Sequence, residues 1–256
     1  MIYAGIDAGS RAIKVVLFDD ENGQIVASGM ADQGIAQEAL AKELLEKLLH
    51  QRQLPTGSVA KIVATGYGRN IIGFAHKTVT EITCHAAGVH HAVPEARTII
   101  EIGGQDSKAI SLKVDGTVQD FSMNDRCAAG TGRFLEVVAT RLTVDLYTLG
   151  ELSGRSRNPA AISSMCVVFA ETEIIGLLAA GVEPEDIASG VQAAIAARVG
   201  TMAGRKIEPP VAFTGGVALI PGMAGALEKV LKQPVSVPAD PQMTGALGAA
   251  LLAARI

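Results

Sequence analysis

The chain is poor in cysteine and aromatic residues, and it contains no tryptophan. Of its 256 residues, 4% are aromatic and only three are cysteine. Three cysteines make a disulfide framework unlikely, so we expect free thiols in a reducing cytoplasm, where they serve metal binding or catalysis. No apolar run reaches the roughly 18 residues that a membrane span requires. The N-terminus shows neither the basic nor the apolar region of a signal peptide, so we expect none.

Excess positive charge and two familiar nucleotide-binding signatures are also missing. The formal net charge is −4, which argues against bulk electrostatic binding of nucleic acid or of an anionic membrane. Nothing matches the Walker A pattern, and there is no Rossmann G-x-G-x-x-G. Any phosphate-binding turns must therefore be of another kind.

An internal duplication is the main feature of the organisation. Predicted strands at 3–6, 13–18 and 24–27, joined by turns, are followed roughly 95 residues later by a similar pattern that begins at 98–102 and 109–114. Such a repeat predicts two similar lobes, each offering one polar turn to a shared cleft. We expect an N-terminal lobe formed by residues 1–96 and 240–256, and a C-terminal lobe formed by residues 97–239.

Hydrophobic spacing predicts an α/β protein. Further strands are predicted at 59–65 and 211–213. Helices are predicted at 35–51, 81–92, 131–142, 146–153, 167–180, 184–203, 222–232 and 244–254.

The first polar turn, residues 5–14, is suited to phosphate. Gly9 permits close approach of the backbone to a ligand, and Ser10 with neighbouring N–H groups can cradle phosphate oxygens. Asp7 is suited to hold Mg²⁺, often through water, and Lys14 can reach the same phosphates. The alternative is an ordinary hairpin with a surface lysine.

The second polar turn strengthens this interpretation. Gly103 and Gly104 let the backbone approach phosphates from the opposite side. Gln105 is suited to orient an attacking water, and Asp106 to support metal or water, as phosphoryl transfer requires. A third glycine-rich turn at 214–217 fits the packing of a nucleotide's sugar or base, although a plain strand-to-helix turn has the same pattern. We therefore predict Asp7, Gln105 and Asp106 as catalytic residues.

Two of the cysteines, Cys127 and Cys166, each precede a predicted helix. Two thiolates are too few for a four-iron cluster or for structural zinc, which require four. A symmetric dimer would supply the other two. Helix N-termini favour negative charge, which suits thiolate ligands. The alternative is a pair of buried, inert cysteines.

The glycine-rich turns, in this order on a duplicated chain, resemble the actin, Hsp70 and sugar-kinase ATPase superfamily. Its members have duplicated ribonuclease-H-like lobes, also found in acetate kinase, around a nucleotide cleft. The segments at 124–136 and 164–171 narrow the resemblance to activators of 2-hydroxyacyl-CoA dehydratases. These are grouped with the ATPase subunits of benzoyl-CoA reductase, of the BadF/BadG/BcrA/BcrD type. The match covers essentially the whole chain, including 65–69, 81–86 and 245–250.

The resemblance implies an ATP-hydrolysing electron-transfer protein. It implies a homodimer with one [4Fe–4S] cluster at its two-fold axis, held by Cys127 and Cys166 of each subunit. ATP or ADP with Mg²⁺ would bind in each cleft, and hydrolysis would accompany transfer of one low-potential electron to an iron–sulfur dehydratase or reductase. Ferredoxin or flavodoxin would be the electron donor. With Gly9, Gly103 and Gly104, the expected nucleotide contacts are Ser10, Arg11, Ala12, Ile13, Lys14, Gln105, Gly130, Thr131, Gly132, Gly215, Gly216 and Gln242.

Four residues call for separate interpretation. Arg11 and Ala12 replace hydroxyl residues usual in the family, which leaves those phosphate contacts to backbone N–H groups and Lys14. Ile220 stands where relatives often have asparagine. Cys84 lies beside His85 on a predicted helix, and we favour a core thiol over a metal ligand there. Two alternative functions stay open: a cluster-free small-molecule kinase of the same superfamily, and a non-catalytic nucleotide-sensing scaffold.

Overall fold

The structure is a computed structural model that describes residues 1–163, 166–204 and 207–256. Ser164 and Met165, part of the segment that suggested the family, lie outside the described residues. The chain forms two compact units. The first comprises Met1–Glu95, Leu112–Gln119 and Gln242–Ile256, and the second comprises Ala96–Ser111 and Asp120–Pro241.

Each unit begins with three consecutive strands, and helices follow them. The strands are β1 (Ile2–Ala8), β2 (Ala12–Asp19), β3 (Gln24–Asp32), β4 (Val59–Thr65), β5 (Lys77–Thr78), β6 (Thr98–Ile102), β7 (Ser107–Leu112), β8 (Val118–Asn124), β9 (Val211–Thr214) and β10 (Val235–Ser236). The helices are α1 (Gln37–Gln51), α2 (Glu81–Ala92), α3 (Gly132–Leu142), α4 (Leu146–Ser153), α5 (Val167–Ala179), α6 (Pro184–Ala203), α7 (Met223–Leu231) and α8 (Thr244–Ala253). Short 3-10 turns occupy Arg69–Ile71, Ala128–Gly130 and Gly216–Leu219.

Each unit contains one five-stranded sheet, and the two sheets have the same topology. Their orders are β3-β2-β1-β4-β5 and β8-β7-β6-β9-β10. In each, the central strand pairs antiparallel with the next strand of the chain and parallel with a later one. The duplication predicted from the sequence is therefore present in the strand connectivity.

The central strands are buried because helices cover the sheets. In the first unit, α1 packs on β1, β2 and β3. α8 packs on β1, β2 and β4 through a separate set of apolar residues. Two glycines let α2 and α8 pack backbone to backbone. A Cβ on Gly248 would lie 1.7 Å from the Cys84 carbonyl oxygen, and one on Gly88 would lie 2.0 Å from that of Thr244.

The predicted elements agree with the structure to within a few residues. The helix predicted at 131–142 begins at Gly132 and is preceded by the 3-10 turn Ala128–Gly130, which the sequence did not predict. The strand predicted at 109–114 is Ser107–Leu112, so it begins directly after the second polar turn. Among the described residues, no helix combines the length and apolar character that crossing a membrane would require.

Candidate functional site

The first polar turn joins β1 to β2 and presents a carboxylate–ammonium pair. Asp7 lies opposite Lys14 in the strand register, and the Lys14 Nζ donates to Asp7 Oδ2 at 3.0 Å. The turn closes through a hydrogen bond from Gly9 N to Ala12 O at 3.1 Å. The Ile13 side chain is buried in the core, so a nucleotide contact by this residue would be made by its backbone.

Bare backbone encloses the Asp7 carboxylate. Gly66, which follows β4, has φ +86°, and a Cβ there would lie 2.5 Å from Asp7 Oδ1. A Cβ on Gly245, in the first turn of α8, would lie 3.2 Å from Asp7 Oδ2. Only glycine combines this backbone conformation with the space the carboxylate occupies. Gly66 and Gly245 therefore present bare backbone to the Asp7 carboxylate.

The second polar turn repeats this arrangement with a stronger ion pair. Glu101 lies opposite Lys108, and Gly103 N donates to Asp106 O at 3.0 Å. The Lys108 Nζ donates to Glu101 Oε2 at 2.8 Å and to Asp106 Oδ2 at 2.7 Å. The Lys108 side chain is only 2% exposed. Two carboxylates thus share one buried cation, while Gln105 is exposed at the tip of the turn.

The strand register makes Glu101 and Lys108 the counterparts of Asp7 and Lys14. Sequence reasoning missed both residues and named only Asp106 as the second acid. The signal was available, because an acid followed seven residues later by lysine occurs in both repeats. Inside a buried strand, however, such an acid is recognised only once its cross-strand partner is known.

The third glycine-rich turn is the counterpart of Thr65-Gly66 in the first unit. Thr65 pairs with Asp7 and Thr214 with Glu101 at the same register positions. Gly215 has φ +89°, and a Cβ there would meet Ile102 O at 2.2 Å. The Thr214 hydroxyl is buried with no hydrogen-bond partner, as expected of a polar group set beside a ligand position.

Three residues predicted to lie near the nucleotide differ in their exposure. A Cβ on Gly216 would meet nothing within 4 Å, so this glycine borders open space. Gln242 is half-buried. Ile220 is buried in the core of the second unit, so its side chain supplies no polar contact.

Hydrogen bonds connect the second polar turn to the start of α3. Gly132 N donates to Gly103 O, and Arg133 N donates to Gly104 O, each at 2.9 Å. Thr131 is fully buried, and its hydroxyl donates to Ala128 O at 2.8 Å. Residues 128–133 therefore form a short bonded path between the glycine turn and the residue that follows Cys127.

Cys127 lies in a loop whose backbone makes two hydrogen bonds with the Asn124 side chain. Asn124 Nδ2 donates to Cys127 O at 2.7 Å, and Cys127 N donates to Asn124 Oδ1 at 3.1 Å. The cysteine is exposed and precedes a 3-10 turn of three residues rather than α3 itself. The helix-dipole argument made from the sequence is therefore weak for Cys127, because so short a turn carries little dipole.

Cys166 is the N-cap residue of α5, a helix of 13 residues, and it is also exposed. Its side chain makes no capping hydrogen bond. Glu173, two turns into the helix, reaches back to Ser163, accepting from its backbone N at 2.9 Å and its hydroxyl at 2.7 Å. The prediction that Cys166 directly precedes a helix is confirmed.

The cysteines fit a metal cluster that is completed from outside this chain. Both exposed thiols belong to the second unit, and thiolates are the usual ligands of iron–sulfur clusters. Within the described ranges, no group of three or more histidine, cysteine or acidic residues could hold a metal ion. The alternative that Cys127 and Cys166 are buried is wrong, because both are exposed.

Cys84 differs from the other two cysteines because it is fully buried in the first unit. Burial raises the pKa of its thiol to about 12; a hydrogen bond with Thr65 opposes the shift, while the charges of Asp7 and Glu81 add to it. Such a thiol stays protonated and packs as a small apolar side chain. The interpretation of Cys84 as a core thiol agrees with this burial.

Comparisons with known proteins agree on one family. The model of the BadF/BadG/BcrA/BcrD ATPase family matches residues 4–253. The 2-hydroxyisocaproyl-CoA dehydratase activator of Clostridioides difficile is 43% identical over 99% of this chain and 95% of its own length. The activator of lactoyl-CoA dehydratase of Anaerotignum propionicum is 45% identical over 99% of this chain and 97% of its own length.

Solved structures agree on the fold. The structure of the 2-hydroxyisocaproyl-CoA dehydratase activator from Clostridium difficile with bound ADPNP superposes with a TM-score of 0.93 at 42% identity, covering 99% of this chain and 94% of the other. A ROK hexokinase of Thermus thermophilus has a TM-score of 0.54 at 16% identity, over 100% of this chain and 99% of its own. The latter likeness shows the fold alone. The chain has the actin, Hsp70 and sugar-kinase fold that its sequence predicted.

Proposed function

Because the chain belongs to the BadF/BadG/BcrA/BcrD ATPase family, we propose that it couples ATP hydrolysis to electron transfer. In this proposal a [4Fe–4S] cluster shared by two copies of the chain passes one low-potential electron to a partner enzyme. The observation that carries the proposal is the bonded path between the turn at Gly103 and Gly104 and the loop of Cys127. A nucleotide bound at that turn can act on a cluster ligand through this path.

The nucleotide part of the proposal depends on the polar turns. Backbone N–H groups around Gly9 and Ser10 would hold phosphate oxygens, and Lys14 would add positive charge. Asp7 would hold Mg²⁺ through water, since Mg²⁺ keeps much of its hydration shell. Gln105, exposed at the tip of its turn, would orient the attacking water.

The cluster part depends on Cys127 and Cys166. Two exposed thiols from each of two symmetric chains give the four ligands that a [4Fe–4S] cluster requires. The exposed face of α5 next to Cys166 carries Val168 and Phe169, which are 66% and 69% exposed. Large apolar side chains on a surface indicate a protein contact. We assign that contact to the second copy of the chain.

The partner is an iron–sulfur enzyme of the type that the relatives activate. The two relatives described above are named activators of 2-hydroxyisocaproyl-CoA and lactoyl-CoA dehydratases, so a 2-hydroxyacyl-CoA dehydratase or a related reductase is the proposed acceptor. Ferredoxin or flavodoxin would be the donor. The proposed setting is the reducing cytoplasm, where thiols stay available for cluster binding.

An anaerobic electron-transfer assay tests the proposal. The protein is reduced, mixed with a dehydratase of this class and given MgATP, and oxidation of the cluster is followed by EPR. We expect oxidation that requires ATP, is lost in Cys166→Ser and is retained in Cys84→Ser. Transfer that proceeds equally without nucleotide would contradict the proposal.

The two alternative functions make different predictions. A small-molecule kinase would phosphorylate a sugar or acid without iron, and it has no need of two exposed cysteines. A nucleotide-sensing scaffold would show negligible ATP hydrolysis, and replacing Gln105 would not change turnover. In our proposal, Gln105→Ala lowers the rate of hydrolysis by about 10- to 1000-fold while nucleotide still binds.

A further inference from the structure

A buried histidine lies beside Asp7, although neither the predicted site nor the proposed mechanism uses it. His85, on α2, is 6% exposed. Its ring nitrogen Nδ1 is 3.0 Å from the hydroxyl oxygen of Thr244, the first residue of α8. This contact fixes the rotation of the ring and therefore the direction in which its other edge points.

That other edge borders the same gap as the Asp7 carboxylate. The Cβ position of Gly245 lies 3.3 Å from His85 Nε2 and Cε1, and 3.2 Å from Asp7 Oδ2. Any side chain at residue 245 would separate the two groups. Since glycine occupies the position, the Nε2 edge of the imidazole and the carboxylate oxygen both border one small gap that holds no side chain of residue 245.

The helix that carries His85 is held at a fixed separation from α8. Gly88 and Gly248 bring α2 and α8 so close that an added Cβ would lie 2.0 Å and 1.7 Å, respectively, from carbonyl oxygens of the opposite helix. The start of α2 is capped by Thr80, whose side chain accepts from Thr83 N. A rigid pair of helices thus presents the histidine to Asp7, as a supporting group requires.

Two charged or polar side chains lie near the Oδ2 oxygen of Asp7. Lys14 donates to Oδ2 at 3.0 Å, and the His85 edge approaches the gap next to it. Oδ1 points toward Gly66 instead. The Lys14 hydrogen bond orients Oδ2, and the His85 edge lies at the gap that this oxygen borders.

We propose that His85 is a positioning residue that orients Asp7 for the Mg²⁺–nucleotide complex. The inference rests on the proposed nucleotide site and adds to it a group outside the polar turns. Groups that orient a metal-associated carboxylate commonly contribute 10- to 100-fold, as an order of magnitude, to metal affinity or activity. Magnesium-dependent nucleotide binding should therefore respond to changes at His85.

Two amide substitutions separate the two edges of the ring. In His85→Asn the amide takes the place of Nδ1, so it keeps the contact with Thr244 but no longer reaches Asp7. In His85→Gln the amide takes the place of Nε2, so it reaches Asp7 but loses Thr244. If the histidine acts on Asp7, His85→Asn is the more damaging change; if it only ties α2 to α8, His85→Gln is.

Calorimetric titration of the full-length protein with ADP, with Mg²⁺ and with EDTA, is the experiment. We expect His85→Asn to weaken binding of ADP about 10- to 100-fold with Mg²⁺ and to leave binding in EDTA unchanged. His85→Gln should retain part of the magnesium effect. His91→Gln, an exposed position on the same helix, should match the wild type and serves as the control.

Other outcomes would overturn the inference. An unchanged magnesium effect in His85→Asn would do so, as would equal losses with Mg²⁺ and with EDTA. If His85→Asn fails to fold, Thr244→Val, which removes the hydroxyl that orients the ring, should show the same selective loss to a smaller degree. A wild-type protein that binds no nucleotide would overturn the proposed function as well, which distinguishes the two failures.

Discussion

At the scale of single residues, the two polar turns differ in how firmly their charges are held. The Lys14 and Asp7 side chains are 20% and 7% exposed, whereas those of Lys108 and Glu101 are 2% and 6% exposed. Lys108 also holds a second carboxylate, Asp106. The pair in the first unit is therefore the more accessible to a ligand, while the cluster in the second unit contributes mainly to a rigid turn.

Removing the buried cation should destabilise the protein strongly. Lys108→Met removes the cation that the buried carboxylates of Glu101 and Asp106 share, and breaking such a buried pair costs about 3–5 kcal/mol. Lys14→Met should lower stability much less, because that pair is partly exposed. Urea unfolding of both variants measures the difference. Equal losses would contradict the distinction drawn between the turns.

Alanine substitutions at the adjacent glycines 215 and 216 should have different effects on thermal stability and on nucleotide binding. Gly215→Ala forces alanine into the backbone conformation φ +89°, ψ 171°, which is essentially restricted to glycine and costs about 1–3 kcal/mol. It also adds a clash with Ile102 O, so we expect a lower Tm. Gly216→Ala meets no neighbouring atom and should leave the Tm unchanged while weakening nucleotide binding. A Gly216→Ala protein with normal nucleotide affinity would place the ligand elsewhere.

Sequence reasoning found the glycines of the site more easily than its charges. Gly9, Gly103 and Gly215 stand out because glycine after a strand indicates a turn or a close backbone approach. Glu101 did not stand out, because its importance comes from the register that places Lys108 across from it. The position of His85 near Asp7 depends on α2 meeting α8 at Gly245. This contact joins residues 159 or more apart in sequence, and the hydrophobic periodicity of a sequence does not predict such contacts.

At the scale of elements, both cysteine loops are held by a side chain from a neighbouring element. Asn124, at the end of β8, holds the loop of Cys127, and Glu173 on α5 holds Ser163 before Cys166. The sequence predicted that the cysteines precede helices. It did not predict these contacts, nor the 3-10 turn that separates Cys127 from α3.

Releasing the loop of Cys127 should make the proposed cluster labile. Asn124→Ala removes two hydrogen bonds, each worth about 1 kcal/mol, so iron should be lost to a chelator about tenfold faster or more. Asn124→Asp keeps the acceptor for Cys127 N, so its rate of iron loss should lie between those of the wild type and Asn124→Ala. Iron release followed by absorbance is the measurement, and identical rates in all three proteins would contradict the assigned role.

The start of α6 should respond to pH through Asp186. Its Oδ1 accepts from Asn158 N, Ser156 Oγ and Arg157 N, and these bonds lower the pKa of the carboxyl. A lowered pKa in the folded state means that the stabilisation is present above about pH 3.9, the unfolded value, and is lost as the pH falls through the folded pKa. Asp186→Asn keeps the acceptor oxygen but not the charge. Its Tm should be lower than that of the wild type at pH 7, and the gap should close in acid; a gap independent of pH would contradict this.

At the scale of the whole molecule, duplication gives the protein two versions of one site. The same order of strands, the same turn length and the same threonine–glycine step occur in both units. Only the second unit carries the exposed cysteines. The duplication could be predicted because the spacing of strands and turns repeats along the sequence. The number of chains in the proposed assembly depends on the surface through which copies of the chain would meet, and the spacing does not describe that surface.

The central claim is that one cluster is shared by two chains, and iron analysis combined with native mass spectrometry under anaerobic conditions tests it most directly. The account predicts a dimer with about four iron and four sulfide per two chains, lost in both Cys127→Ser and Cys166→Ser and retained in Cys84→Ser. A monomer that holds a complete cluster, or a Cys127→Ser dimer with full iron content, would contradict it.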